Sequence, residues 1–246
     1  MIYGETTDKF TIFTSCDPVY LKEHAKGLVT SCALNKNNVH IHVTNPKDYD
    51  LKYLEYLQAG YNILCPELCM TYSYDTIDLK NYNKEQRKTF YACNRFIVGP
   101  EVIKGNCLLL DVDCFIMEHI DPIDADIGLY LRNDKYPEWG GLAGKIAAGS
   151  VYCDYNHLDF LVYTKDFIES NKMLWFVDQV ALLKAFEHYT NKKYYFFDNK
   201  YLDWDFKPNT KIWTGKGTRK SLNAIYGAKH KEFKRKFPLK DQDHLN

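Results

Sequence analysis

The chain lacks most of the features that would place it in a special class. No apolar run approaches the roughly 18–20 residues needed to cross a bilayer, and the first 13 residues contain no short apolar core of the kind a secretion signal requires. Charge of one sign is not in excess: Lys and Arg number 32, Asp and Glu 32. A general nucleic-acid binder carries a basic surplus, so that class is excluded, and only residues 229–240 are locally basic. None of the eight cysteines (16, 32, 65, 69, 93, 107, 114 and 153) forms a Cys-x-x-Cys pair, and no closely spaced histidine pair accompanies them. That removes the common zinc patterns. Repeats, low-complexity tracts and linker-like stretches are also missing. These absences lead us to expect a reduced, cytoplasmic protein with free thiols and no transmembrane segment.

What remains is an ordinary globular composition, 46% hydrophobic over 246 residues, enough for one large domain. Phe10-Thr11-Ile12-Phe13-Thr14 reads as a strand. Asp17-Pro18 then opens a helix over 19–34, with Ser15 or Asp17 as its cap. Val39-His40-Ile41-His42-Val43-Thr44 is a second strand, stopped at Asn45-Pro46. Strand, helix and strand make one βαβ unit. Further helices are expected over 49–58 and 83–96, the latter ended by Gly99-Pro100. Asn62-Ile63-Leu64-Cys65 reads as a short strand, and Cys65 and Cys69 have the spacing of helix neighbours. Beyond residue 120 come strands at 127–131, 194–197 and 211–213, helices at 158–170 and 175–189, and a basic helix over 221–236. A glycine-rich loop holds Gly140, Gly141 and Gly144. The alternation specifies an α/β fold.

The most informative stretch is Cys107-Leu108-Leu109-Leu110-Asp111-Val112-Asp113-Cys114-Phe115-Ile116-Met117. Its apolar opening reads as a strand buried on both faces. Asp111 and Asp113, two positions apart, share one side of an extended chain. Carboxylates this close repel and call for a shared proton or a cation. A hard divalent ion, Mg²⁺ or Mn²⁺, suits oxygen ligands and would bridge them to phosphate. Strand ends of this kind are where open α/β sheets bind ligands.

The order and spacing of these pieces resemble the glycosyltransferases of the GT-A fold with their Asp-x-Asp motif, in particular the glycogenin-like and bacterial galactosyltransferase-like enzymes, over about residues 10–220. The resemblance implies one GT-A-like domain over 1–246, a Rossmann-like mixed central sheet flanked by helices. Its nucleotide-binding half would cover about 1–120 and its donor-sugar and acceptor half about 121–246. In Phe13-Thr14-Ser15-Cys16-Asp17-Pro18-Val19-Tyr20, it assigns Thr14, Cys16, Asp17 and Tyr20 to the nucleobase. Asn94-Arg95-Phe96 puts Arg95 near the metal and nucleotide, where a guanidinium could hold Asp111 or the diphosphate. Asp111, Val112 and Asp113 match the Asp-x-Asp motif, with Asp113 the more direct metal ligand and Asp111 also reaching the ribose. Ala147-Ala148-Gly149 matches the segment lining the donor-sugar pocket, with Ala147 where asparagine often stands. Asp178-Gln179 matches the pair that opens a helix beside the sugar. Lys216 and Gly217 match the closing phosphate-binding segment, and Thr214 stands where many relatives carry a histidine as third metal ligand.

The implied activity is transfer of a hexose from a nucleotide sugar, UDP-linked by the resemblance, to a carbohydrate or other acceptor hydroxyl. Mn²⁺ or Mg²⁺ would serve as cofactor and the anomeric configuration would be retained. If the reaction inverts instead, Asp178 is a candidate base, although its helix-start position favours the anion. Two other classes fit parts of the pattern. Leu-Leu-Leu-Asp-Val-Asp also resembles the nucleophile motif of haloacid-dehalogenase-like phosphatases, but it sits late in this chain and lacks the partner motif. A non-catalytic nucleotide-sugar-binding protein could use the same scaffold. Trp139 could stack on a sugar, and the basic C-terminal helix could touch an anionic membrane surface.

Overall fold

A computed structural model describes residues 1–132, 134, 136–215, 217 and 219–240. The chain opens with a two-residue strand, β1 (Ile2–Tyr3), and then β2 (Thr11–Cys16), whose six residues are all buried. Asp17 caps the following turn, its carboxylate accepting from the Tyr20 amide at 2.8 Å. The helix expected over 19–34 is divided. A short α1 (Pro18–Tyr20) runs into a π-helical turn, Leu21–Ala25, and then α2 (Lys26–Leu34). Strand β3 (Asn38–Thr44) follows as expected.

Next comes α3 (Asp48–Leu64), which absorbs the segment expected as a short strand at 62–65. Cys65 ends that helix and Cys69 lies beyond it, so the two are not helix neighbours. Strand β4 (Met70–Asp75) was not legible in the sequence. Helix α4 (Lys84–Val102) starts in a reciprocal cap, Asn83 Oδ1 accepting from the Gln86 amide and Gln86 Oε1 from the Asn83 amide. It runs through Gly99-Pro100 instead of ending there. Pro100 lies in the last turn, where one lost amide donor is tolerable, and Gly99 before it has no Cβ to clash with the ring.

Strands β5 (Cys107–Leu110) and β6 (Cys114–Ile116) flank the two aspartates. After them come β7 (Ile127–Leu131), β8 (Ile146–Cys153), α5 (Asp159–Ser170), α6 (Val177–His188), β9 (Tyr194–Phe196), β10 (Leu202–Asp203) and β11 (Ile212–Thr214). The terminal helix is interrupted. It comprises α7 (Arg219–Leu222) and α8 (Ala224–Lys236), with Asn223 capping the second.

The main sheet has the order β1-β4-β3-β2-β5-β8-β7-β9. Strands β4, β3, β2 and β5 are parallel, β8 runs antiparallel to both β5 and β7, and β7 pairs β9 in parallel. A smaller sheet, β10-β11-β6, closes one end. The chain winds outward from β2 to β3 to β4 and then returns to the other side of β2 as β5. The winding therefore reverses between β2 and β5, the kind of crevice where open α/β sheets bind ligands.

Right-handed crossovers put helices on opposite faces when the winding reverses. Alternating residues bear this out. Ile12, Leu108 and Leu110 pack with Leu28, Leu54 and Leu57 of α2 and α3. Phe13, Cys107 and Leu109 pack with Phe90, Phe96, Phe160 and Leu182 of α4, α5 and α6. A third cluster joins Phe115 and Trp213 to Tyr226 and Phe233 of α8. Among the described residues, no helix is long and apolar enough to cross a membrane.

Candidate active site

The reversal point is where the sequence-derived residues gather. Strand β2 delivers Thr14 and Cys16, both buried, and then Asp17. Strand β5 ends at Leu110, so Asp111, Val112 and Asp113 occupy the turn into β6. Because β8 is antiparallel to β5 and Leu110 pairs Ser150, the start of β8 lies beside Asp111. A Cβ on Gly149 would stand 2.8 Å from Asp111 Oδ2, so glycine is what lets the carboxylate approach this backbone. Hydroxyls of Thr14 and Ser150, in register on either side of Leu110, are buried without a partner among the described residues.

Arg95 enters from α4. Its side chain is 3% exposed, forms an ion pair with Asp111 Oδ1 at 2.8 Å, and donates to the Ala148 carbonyl at 2.8 Å and the Ala92 carbonyl at 2.9 Å. Of the two partners the sequence suggested for Arg95, the structure seats it on Asp111. One planar fork thus ties α4, the Asp111 turn and β8 together.

Asp113 is paired differently. The Lys220 ammonium, carried on α7, donates to Asp113 Oδ2 at 2.9 Å and to the Tyr20 hydroxyl at 3.1 Å, and lies 4.5 Å from the Tyr20 ring centre. The Tyr226 hydroxyl donates to the Asp113 backbone carbonyl at 2.8 Å. Burial, and then the neighbouring Asp111 charge, push the Asp113 carboxyl up to about 6, while Lys220 pulls the other way. The paired Lys220 is itself held above its ordinary range.

Asp178 and Gln179 open α6 after Phe176, whose φ of 71° is left-handed. Such backbone in a bulky residue is uncommon and gathers at functional sites. Asp178 Oδ1 accepts from the Gln179 amide at 2.8 Å, and Gln179 Oε1 accepts from the Gly144 amide at 2.9 Å. The helix start was expected to favour the Asp178 anion. Instead burial outweighs Arg95 and the helix amide, and the carboxyl rises to about 6. A second fastening, from Trp139 Nε1 to the Trp175 carbonyl at 2.9 Å, ties the glycine-rich loop to the same helix start.

Lys216 lies outside the described residues. Gly217 is exposed with a φ of 56°, and a Cβ there would meet nothing within 4 Å. Among the described residues of this segment, the cation that reaches Asp113 is Lys220. It belongs to the same basic run, and its signal was visible only as one of three neighbouring Lys and Arg side chains. Thr214 is buried, pairs Cys114 across the small sheet and hydrogen-bonds its thiol. Among the described residues, no group of three or more His, Cys, Asp or Glu side chains could hold a metal ion.

The eight-stranded mixed sheet, flanked by helices and carrying carboxylates at its reversal point, is a GT-A-like fold. Solved structures that match this architecture include glycosyltransferases. The galactosyltransferase LgtC, in complex with donor and acceptor sugar analogs, matches with a TM-score of 0.61 at 13% identity, over 94% of this chain and 98% of that one. The apo-form glycosyltransferase GlyE of Streptococcus pneumoniae TIGR4 matches with a TM-score of 0.59 at 13% identity, over 93% of this chain. The bifunctional glycosyltransferase WbbM matches at 0.63 and 12%, over 95%. The chain spans 60% of the GlyE chain and 50% of the WbbM chain. No protein-family model and no curated protein matches it. At this identity the likeness establishes the fold, and residue roles rest on the geometry above.

Proposed function

We propose that the protein is a metal-dependent glycosyltransferase that moves a hexose from a nucleotide sugar, UDP-linked, to an acceptor hydroxyl. The observation that supports it most is the convergence of Asp111, Asp113, Arg95, Gly149, Asp178 and Lys220 where the winding reverses. The donor set suits a hard divalent ion. Asp111 has a 41% exposed side chain, one oxygen held by Arg95, and the other in a cradle that only glycine permits. Asp113 adds a second carboxylate, and water or phosphate oxygens commonly fill the remaining positions around Mg²⁺ or Mn²⁺. Such an ion, when bound, would neutralise charge on the departing diphosphate.

The chain's own residues divide the other tasks. Asp17 holds one end of the nucleotide, with Tyr20 offering a ring face. Arg95 holds Asp111 in one orientation. Lys220, in the part first assigned to Lys216, supplies a mobile positive charge for phosphate. Gly149 lets Asp111 lie against β8. Asp178 and Gln179 face the reacting sugar from α6, held in place by the Gln179 amide on Asp178 Oδ1 and the Gly144 amide on Gln179 Oε1.

The test is incubation with a panel of nucleotide sugars and Mn²⁺, measuring UDP release. Wild-type protein is expected to release UDP slowly and only with metal, and Asp113→Ala to lose at least about 100-fold in rate. Unchanged turnover by Asp113→Ala in excess Mn²⁺ would sink the metal assignment, and release of phosphate from simple phosphoesters would point to the phosphatase class.

A further inference from the structure

We propose that Lys220 is a built-in counterion that occupies Asp113 in the free protein and must leave it for a divalent cation to settle, so that cation and nucleotide diphosphate bind as a coupled pair. The proposal rests on the donor-binding reading above.

The two carboxylates have partners of opposite character. Arg95 is buried, and an ion pair to the Asp111 turn with hydrogen bonds to β8 and to its own helix fixes it. It can serve as a strut but has nowhere to go. Lys220 is a single ammonium on a flexible four-carbon stem, with a 20% exposed side chain. Its other support is the hydroxyl and ring face of Tyr20, a residue 40% exposed. Asp113 does not depend on Lys220 for its place, because Tyr226 pins its backbone carbonyl and β6 begins at the next residue. The lysine can therefore depart while the carboxylate stays.

An ammonium 2.9 Å from Asp113 Oδ2 takes up the acceptor a cation would use, and its charge repels a second cation in a partly dry pocket. A divalent ion arriving alone must break this pair. A nucleotide diphosphate brings the alternative anion that draws the ammonium away, since lysine binds phosphate as a point charge. Each ligand thus removes the obstacle to the other. The coupling is necessarily equal in both directions.

Mn²⁺ titration of the full chain, following the free-ion electron paramagnetic resonance signal, tests this without any turnover. Wild-type protein is expected to bind Mn²⁺ about 10- to 100-fold more tightly with saturating UDP than without it. Lys220→Met is expected to tighten Mn²⁺ binding in the absence of UDP by about 10-fold and to shrink the UDP effect by a comparable factor, leaving only the share that comes from phosphate oxygens on the ion itself. Tyr20→Phe, which keeps the ammonium but removes its second support, should tighten Mn²⁺ alone by about 2- to 3-fold. Circular dichroism checks that both variants fold. The proposal is overturned if Lys220→Met binds Mn²⁺ alone no better than wild type, or not at all. If the wild type binds Mn²⁺ but no UDP, the donor-binding reading fails, while the Lys220→Met comparison still decides the fate of the counterion.

Discussion

Replacing Asp178 by Asn probes how this end of the sheet handles buried charge at the scale of one residue. The Asp178 carboxyl sits near 6 in the folded chain against an ordinary 3.8, chiefly through burial. The fold thus favours the protonated form. The stabilisation is complete below about pH 4 and is lost as pH rises through about 6. Asp178→Asn keeps the oxygen that accepts from the Gln179 amide and carries no charge. It is expected to exceed wild type in stability by about 1–3 kcal/mol at pH 8, with the difference closing at pH 4. Thermal unfolding at the two pH values reads this directly; a variant less stable than wild type at pH 8 would show that Arg95 compensates the anion fully. Individual residues were also the scale at which the sequence was least complete. Asp111, Asp113 and Arg95 stood out because same-side carboxylates and a nearby guanidinium have few structural uses in an apolar setting. Lys220 did not, because which lysine of a basic run folds back onto a carboxylate depends on helix α7 and on contacts some 107 and 200 residues away in sequence.

Among the elements, helix α3 and the end of α8 explain each other. Gly60 lies in the interior of α3, where glycine costs about 1 kcal/mol relative to alanine. The Phe237 ring occupies the space its side chain would need, a Cβ there falling 2.0 Å from the ring. The ring also packs against Tyr56 at 5.1 Å between centres and lies under the Lys26 ammonium at 4.9 Å. Phe237→Ala is expected to cost about 3–5 kcal/mol, and Gly60→Ala about 1–3 kcal/mol by overpacking. Urea unfolding midpoints check both; losses under about 0.5 kcal/mol would mean the chain end is not part of the cooperative unit. Elements were legible where the local pattern and the tertiary setting agreed. Strands β2, β3, β5 and β7 are β-branched or apolar and buried, and all four were readable. Strand β4 was not. Its Ser73 and Asp75 serve a buried polar network with His40 and His42, which leaves only the Met70, Tyr72 and Tyr74 face to read, in a six-residue strand otherwise polar. The end of α3 misled for the converse reason: Ile63-Leu64 suits a strand locally, yet the chain completes a 17-residue helix.

Over the whole molecule, the two faces of the sheet hold separate apolar clusters, and the cysteines are distributed between them. All eight are free, and all but Cys69 are buried. Burial raises the Cys16, Cys32, Cys93, Cys107, Cys114 and Cys153 thiols well above their ordinary range, which suppresses the reactive thiolate. In the native protein, a disulfide reagent such as DTNB should therefore titrate about one thiol rapidly, and all eight after denaturation. Rapid reaction of three or more in native buffer would show that one face of the sheet opens.

The placement of β2 between β3 and β5 also has a consequence for synthesis. The strand ends at residue 16, and its second neighbour begins at residue 107. At a typical elongation rate of about 5–20 residues per second, the roughly 90 positions between them take about 5–20 s to appear, even before the ribosome tunnel is cleared. Through that interval one edge of a fully buried strand has no partner, and unpaired edges invite association between chains. The strand at the centre of the finished sheet is thus the nascent chain's most exposed liability. Conditions that slow elongation through α4 would be felt as aggregation long before they altered the active site.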